Sequence, residues 1–381
     1  MRAIAAERLF DGTDFRAGVT VLIEDERIGA IVDTPPAGVV VEHAKLLVPG
    51  FIDLQVNGGG GVMFNAEPTP AGLARIAAAH AAAGTTSILA TFITDDAARR
   101  AAAVAAIANA LAARVPGLAG LHLEGPFISP QRPGIHRRSA IVTMTQADTA
   151  SLAPGFPLLV TLAPECVAGG LIARLVAGGA VVFAGHTEAE PQRLAAAAGE
   201  GLSGCTHLWN AMPPFASRTP GPVGGAMSLA AAGTRLFAGL IADGHHVDAA
   251  SLRATIALLG PDRAFLVSDA MATAACDCTS FELDGRQIRL VDGRLIDAAG
   301  TLAGAHLTMV EAARRARALR LATDGAILRM ATATPAAAMR LGDRGRIAAG
   351  MRADLVALDA GWNVAAVWQG GRKLESNLRS V

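Results

Sequence analysis

The chain has 381 residues, 52% of them hydrophobic and 17% charged, with Lys+Arg and Asp+Glu balanced at 33 each. That length suits a barrel of about 250 residues plus an accessory domain, and the apolar content argues against a disordered chain. A charge-neutral chain carries no footprint for nucleic acid or an anionic membrane surface, so a small molecule is the expected partner.

Met1-Arg-Ala-Ile-Ala-Ala-Glu-Arg8 carries charges inside any apolar core, so it does not read as a signal peptide, and a cytoplasmic location is expected. Up to about residue 46 short alternating stretches such as Val19-Thr-Val-Leu-Ile23 and Ile28-Gly-Ala-Ile-Val32 lie between turn residues such as Asp11-Gly12. Period-two alternation of this kind predicts antiparallel strands. The tail repeats that character in Gly345-Arg-Ile347, Ala353 to Asp359 and Val364 to Trp368. One small β-sandwich domain built from both chain ends, residues 1–46 and 341–381, is therefore expected.

Between the ends, residues 47–340 alternate strand, loop and helix. Strands are expected near 46–56, 85–92, 118–124, 157–163, 180–185, 201–206, 236–242 and 264–269. Alanine-rich helical stretches fill most gaps, among them Ala71–Ala83, Ala97–Ala113, Gly170–Ala177 and Ala249–Leu259. Near-continuous apolar strands alternating with helices mean a parallel sheet, and eight of them predict a closed (β/α)8 TIM-like barrel in the α/β class. The Pro- and Gly-rich stretch 213–235 reads as a long loop or lid. Two Asp-Gly turns between Phe281 and Leu295 predict a hairpin insertion. Four cysteines do not make a disulfide framework in a chain this long, and Cys276-Asp277-Cys278 lacks partner ligands for a metal.

Several of the apolar stretches end on a polar residue: Glu124, His186, His207 and Asp269. A lone strand-end histidine is ordinarily a hydrogen-bonded core residue, and Asp269 alone could cap a helix. Polar groups at the carboxyl ends of successive barrel strands, however, converge on one mouth. A carboxylate and two imidazoles are the ligands of a catalytic divalent metal with an open position, and a further carboxylate can shuttle its protons. The set predicts a metal-dependent hydrolase.

The stretch Val48-Pro-Gly-Phe-Ile-Asp53, with Arg352-Ala-Asp-Leu-Val356, resembles the amidohydrolase superfamily. Within it, His122-Leu-Glu-Gly-Pro126, Gly185-His-Thr187, Thr206-His-Leu-Trp-Asn-Ala-Met212 and Asp243-Gly-His-His-Val-Asp248 closely resemble the N-acetylglucosamine-6-phosphate deacetylases. So do Ser268-Asp-Ala-Met271 and Gly300-Thr-Leu-Ala-Gly304, and the likeness runs in order from about residue 46 to the end. The resemblance implies hydrolysis of the acetamide of N-acetyl-D-glucosamine 6-phosphate to D-glucosamine 6-phosphate and acetate. It makes Glu124, His186 and His207 the metal ligands, Asp269 the general base and then acid, and His136 the group that polarises the acetyl carbonyl. Asn210, Ala211, Arg218 and His246 would hold the phosphate, with Arg218 arriving from the neighbouring subunit of a homodimer. Ile135, Leu302, Ala303 and Gly304 would line the rest of the substrate site.

Many members of the superfamily carry His-x-His at the end of the first barrel strand, where this chain has Gln55-Val56-Asn57. Amides are poor ligands for transition metals, so one divalent metal per chain is expected, zinc by default with Fe2+, Co2+ or Mn2+ as alternatives. His43 and His80 receive no role; His122 and His245 are read as structural neighbours of the site, and His306 is left unassigned. Three other readings compete: the galactosamine epimer as substrate, a sugar-phosphate-binding protein without catalysis, and a cyclic-amide hydrolase. The complete Glu-His-His-Asp set speaks against the second, the missing His-x-His against the third.

Overall fold

In the computed structural model, which describes residues 1–375, the central sheet has eight parallel strands in sequence order. They span Phe51–Val56, Thr85–Ile93, Leu118–Glu124, Leu158–Leu162, Val181–Ala184, Gly204–Cys205, Phe237–Ile241 and Ala264–Val267. Every residue in them is buried, as expected for strands covered on both faces. Three of the intervening helices begin on sequence-encoded caps: Thr69 ahead of Pro70–Ala82, Asp96 ahead of Ala97–Ala112, Asp248 ahead of Ala249–Leu259. Among the described residues no helix is long and apolar enough to cross a membrane.

The seam between the last strand and the first is closed differently from the other joints. Only a parallel bridge from Val56 to Ala270 joins the backbones, supported by Asn57 N and Gly58 N donating to the Ala270 carbonyl at 2.9 and 3.0 Å. The remainder is a side-chain clasp. The fully buried Asp53 carboxylate accepts from the amides of Gln55 (3.1 Å) and Ser268 (3.3 Å) and from the Ser268 hydroxyl. Burial nevertheless pushes this carboxyl up to about 7.

The chain ends do build one small β domain, hydrogen-bonded as a single seven-stranded sheet. Arg2–Phe10, Phe15–Glu24, Arg27–Val32 and Val41–Pro49 pair with Leu355–Leu358, Val364–Gln369 and Arg372–Lys373 around Ile4, Leu9, Val21, Leu47, Leu355 and Trp368. The tail segment Gly345–Ile347 is not a strand. Its Ile347 is instead buried in that core and donates one backbone bond to the Asp11 carbonyl.

Two further expectations need correction. The run 46–56 is not one strand: it breaks at Gly50, with Val41–Pro49 in the terminal sheet and Phe51–Val56 in the barrel. The stretch 213–235 is not one long loop: about half of it is a helix, Gly221–Ala231, and the part ahead of the helix stays irregular. Gly224 and Gly225 let it lie close against its surroundings, since a Cβ there would come within 2.4 Å of Pro220 and 3.1 Å of Pro191. The predicted hairpin grows into four antiparallel strands, Ser280–Leu283, Arg286–Val291, Arg294–Ile296 and Leu302–Ala305. Both Asp-Gly turns hold positive φ at their two central residues, Asp284-Gly285 and Asp292-Gly293, as a two-residue hairpin requires.

Gly50 offers a test of the domain junction. A Cβ there would fall 2.0 Å from Thr86 Oγ1 and 2.8 Å from Thr86 Cβ. Gly50→Ala should therefore lower stability by about 1–3 kcal/mol, the usual cost of overpacking, read as a shift in the urea midpoint. An unchanged midpoint would show that the junction is loose.

Candidate active site

The barrel brings its strand-end polar residues together. Glu124 is the last residue of the third strand, while His186, His207 and Asp269 each lie two positions beyond the fifth, sixth and eighth. All four are buried. The three that follow their strands have left-handed backbones, with φ of 48°, 29° and 52°. Such conformations cost roughly 1–3 kcal/mol each and persist where the surroundings over-determine them, as in active sites.

At the centre, Glu124 Oε1 lies 3.2 Å from His186 Nε2 and 2.9 Å from His207 Nε2, and the two imidazole nitrogens are 3.2 Å apart. The His186 tautomer is fixed by its other nitrogen: Nδ1 donates to the Arg132 carbonyl at 2.8 Å, which leaves a lone pair on Nε2. A lone pair aimed at a carboxylate is repulsive unless a cation lies between them. The cluster's pull on positive charge shows at His207: burial opposes charge there, but the hydrogen bond and charge of Glu124 outweigh it and raise its pKa. The donor set, one carboxylate oxygen and two imidazole nitrogens, is that of an open divalent-metal site, and spacings near 3 Å suit ligands held at about 2.0–2.2 Å from one ion. The residues fit a metal. A ring nitrogen of His136 also lies within 4.8 Å of the ligand atoms of Glu124 and His186.

Gln55 and Asn57 occupy the mouth as hydrogen-bond donors. Gln55 Nε2 lies 3.2 Å from both Glu124 oxygens and 3.1 Å from Asp269 Oδ1, while Asn57 Nδ2 donates to the same Oδ1 at 2.7 Å. Both amides meet Oδ1, so Oδ2 of Asp269 is left for chemistry. Burial and the facing Glu124 charge push this carboxyl up to about 6, a range suited to taking and returning a proton.

His136 is neutral: burial and the neighbouring His186 hold its pKa well below the ordinary imidazole value. Its Nδ1 lies 2.8 Å from Thr94 Oγ1 and accepts from the Thr94 amide at 3.4 Å. A backbone N–H can only donate, so the proton of the neutral ring sits on Nε2, where it can donate to a carbonyl oxygen.

These groups line a cleft of about 420 Å³ with Ile135, Asn210, Ala211, His246, Leu302 and Gly304. The insertion delivers the last two: Ala305 N donates to the Asp269 carbonyl at 2.9 Å, and Arg286 donates to the Ile135 carbonyl. Ala303 alternates away from the cleft into the insertion's own core with Ile288 and Leu295. Arg218 is exposed on the loop before the Gly221–Ala231 helix and does not line the cleft of its own chain. His80, given no role, is buried with Nε2 at 2.9 Å from the Gly58 carbonyl, bracing the loop after the first strand. His122 lies beneath the site between the hydroxyls of Thr91 (3.2 Å) and Thr161 (2.7 Å).

Sequence reasoning missed Thr94, the Arg132 carbonyl and Asp243, whose Oδ2 is 2.6 Å from His246 Nδ1. Only Asp243 left a signal, an acid two and three residues ahead of backbone amides it could accept from. Backbone carbonyls leave none.

The amidohydrolase family profile matches residues 46–374. The chain is 41% identical to the N-acetylgalactosamine-6-phosphate deacetylase of Shewanella sp. (strain ANA-3), over 86% of this chain and 83% of that one. It superposes on the crystal structure of N-acetylglucosamine-6-phosphate deacetylase from Pasteurella multocida with a TM-score of 0.93 and 31% identity, covering 98% and 99% of the two chains. A mutant of the Mycobacterium smegmatis N-acetyl-D-glucosamine-6-phosphate deacetylase, solved with N-acetyl-D-glucosamine-6-phosphate, gives a TM-score of 0.90 at 32% identity over 98% of each chain.

The cluster geometry has a direct consequence. His207→Ala should lose most of the divalent metal that the unaltered chain retains through gel filtration, because three protein ligands leave little redundancy. Equal metal content in the two proteins, by elemental analysis, would remove His207 from the ligand set.

Proposed function

Because the chain belongs to the amidohydrolase family, we propose that it hydrolyses the acetamide of N-acetyl-D-glucosamine 6-phosphate to D-glucosamine 6-phosphate and acetate. The observation that carries this reading is the contact of one amide, Gln55, with both Glu124 and Asp269: it sets a proton carrier beside the metal cluster. A bound divalent ion, zinc by default for this ligand set, supplies Lewis-acid polarisation of water and of the acetyl carbonyl.

The chain's own groups supply the rest. Asp269 Oδ2 takes a proton from the attacking water, whose oxygen bonds to the carbonyl carbon. His136 Nε2–H donates to the carbonyl oxygen as charge develops there. The C–N bond then breaks as Asp269 returns its proton to the amine, a leaving group that departs only when protonated. In the same cleft His246, Asn210 and the Ala211 backbone would anchor the phosphate and so orient the acetamide remotely. Arg218 would reach a neighbouring chain's cleft in a homodimer, a role its exposure permits. With Gln55 and Asn57 in place of imidazoles, one metal per chain is the expected complement. The four free cysteines suit a reducing, cytoplasmic setting.

A second substrate reading is favoured by one observation: the 41% identical Shewanella relative is named for the galactosamine epimer. Acetate release should be measured from both 6-phosphates. The proposal expects the gluco epimer to be turned over with kcat/KM within about tenfold of the galacto epimer or above it. A larger preference for the galacto epimer would transfer the reading, and no acetate from either would end it.

Asp269→Asn should keep metal while turnover falls by about a thousandfold, within the range of general acid–base catalysis; near-normal turnover would remove Asp269 as proton carrier. Arg218→Ala should cost about tenfold to a hundredfold in kcat/KM on the phosphorylated sugar, from a charge-assisted contact of roughly 1.5–3 kcal/mol. Unphosphorylated N-acetylglucosamine should respond far less. Mixing Arg218→Ala with Asp269→Asn chains should restore activity through the one intact composite site of each hybrid. Equal losses on the two sugars would take Arg218 out of the site.

A further inference from the structure

Asp243 and His246 form a buried pair where His246 lines the cleft, one carboxylate and one imidazole that the hydrolytic steps given above do not use. Asp243 is 4% exposed and the His246 side chain 8%. The two Asp243 oxygens divide their work. Oδ1 accepts the backbone amides of His245 and His246, each at 2.9 Å, and Oδ2 takes His246 Nδ1 at 2.6 Å. The loop is held from two other sides as well: Arg315 donates to the Asp243 carbonyl, and the His245 ring lies against the Asp292-Gly293 turn of the insertion, 3.0 Å from where a Gly293 Cβ would be.

The tautomer decides what such a histidine can hold. With Nδ1–H committed to Asp243, a neutral ring would present the lone pair of Nε2 to the cleft. A lone pair repels a phosphate oxygen, so an anion held here requires a proton on Nε2 too, which makes the ring a cation. We propose that Asp243 is the positioning residue of the anion site: its carboxylate holds His246 as an imidazolium and aims Nε2–H at the substrate's phosphate. The inference rests on the phosphate reading given above. The carboxyl itself is suited to the task. Burial would raise it, but the hydrogen bond and charge of His246 overcome this and hold it at about 2.

The alternative is that Asp243 merely shapes the turn, and asparagine separates the two roles. An Asn carbonyl can still accept the His245 and His246 amides, so the turn survives, but its amide donates where the carboxylate accepted, and the support for the cation is lost. Steady-state kinetics on N-acetylglucosamine 6-phosphate and on unphosphorylated N-acetylglucosamine should be compared for D243N, H246A and the double variant. The expected result is KM for the phosphorylated sugar raised about tenfold in D243N with kcat within about threefold. The double variant should be no worse than H246A alone, because Asp243 acts through that ring. Wild-type KM in D243N, or a double variant whose losses multiply in full, would overturn the proposal. Should H246A instead harm both sugars equally, the phosphate reading itself fails, and this inference with it. If D243N does not fold, 15N NMR of the unaltered chain with inorganic phosphate replaces it: both His246 ring nitrogens should be protonated at neutral pH, and a neutral ring overturns the proposal.

Discussion

A carboxylate buried to 2% exposure at the mouth of the barrel, Glu124, faces two imidazole nitrogens, and that grouping is unstable without a positive charge inside it. An isolated buried anion costs many kcal/mol, far more than the few that a domain can spare. The rest of the site is organised by this need. The third strand carries its apolar run up to Glu124, while the fifth, sixth and eighth turn left-handed two residues past their ends, at His186, His207 and Asp269. The Arg132 carbonyl fixes the proton of His186 on the far nitrogen, so the near one is free to bind a cation.

Gln55 and Asn57 give the same site its asymmetry. Two amides, poor ligands for a transition metal, share Asp269 Oδ1 and leave Oδ2 free of them. These donors are neutral, so they steady Asp269, the proposed base, without competing for a proton. Asp53, two residues earlier on the same strand, ties that strand to Ser268, the neighbour of Asp269. The clasp that closes the barrel thereby also sets the distance between the amides and the base. The same cleft holds His246, paired with Asp243, which in the proposed reading anchors the phosphate remote from the reacting amide. Binding energy from a remote anion can then be used to align the amide for attack.

Much of this was legible in the sequence because burial on both faces leaves a plain mark. Strand runs such as Val181–Ala184 and Phe265–Val267 are apolar without alternation, and a polar residue just beyond them stands out. The limits are equally physical. Nothing in the apolar run 46–56 announces that the chain changes sheets at Gly50; that follows from Thr86, which is distant in sequence and leaves no room for a side chain. Glycines that read as loop between 213 and 235 serve close packing in a helix. The groups that fix tautomers, Thr94 and the Arg132 carbonyl, act through backbone atoms that every residue possesses. Ala303 and Leu302 are adjacent in sequence but face opposite ways, a consequence of strand alternation that the motif alone conceals.

The central claim is that hydrolysis depends on one divalent ion seated on Glu124, His186 and His207. It is tested most directly by stripping the protein with a chelator, removing the chelator, and titrating a divalent metal back while acetate release from the 6-phosphate substrate is followed. The account predicts negligible release from the stripped chain and a linear return that levels off at about one equivalent per chain. Full activity in the stripped protein, or a rise that continues to two equivalents, would contradict it.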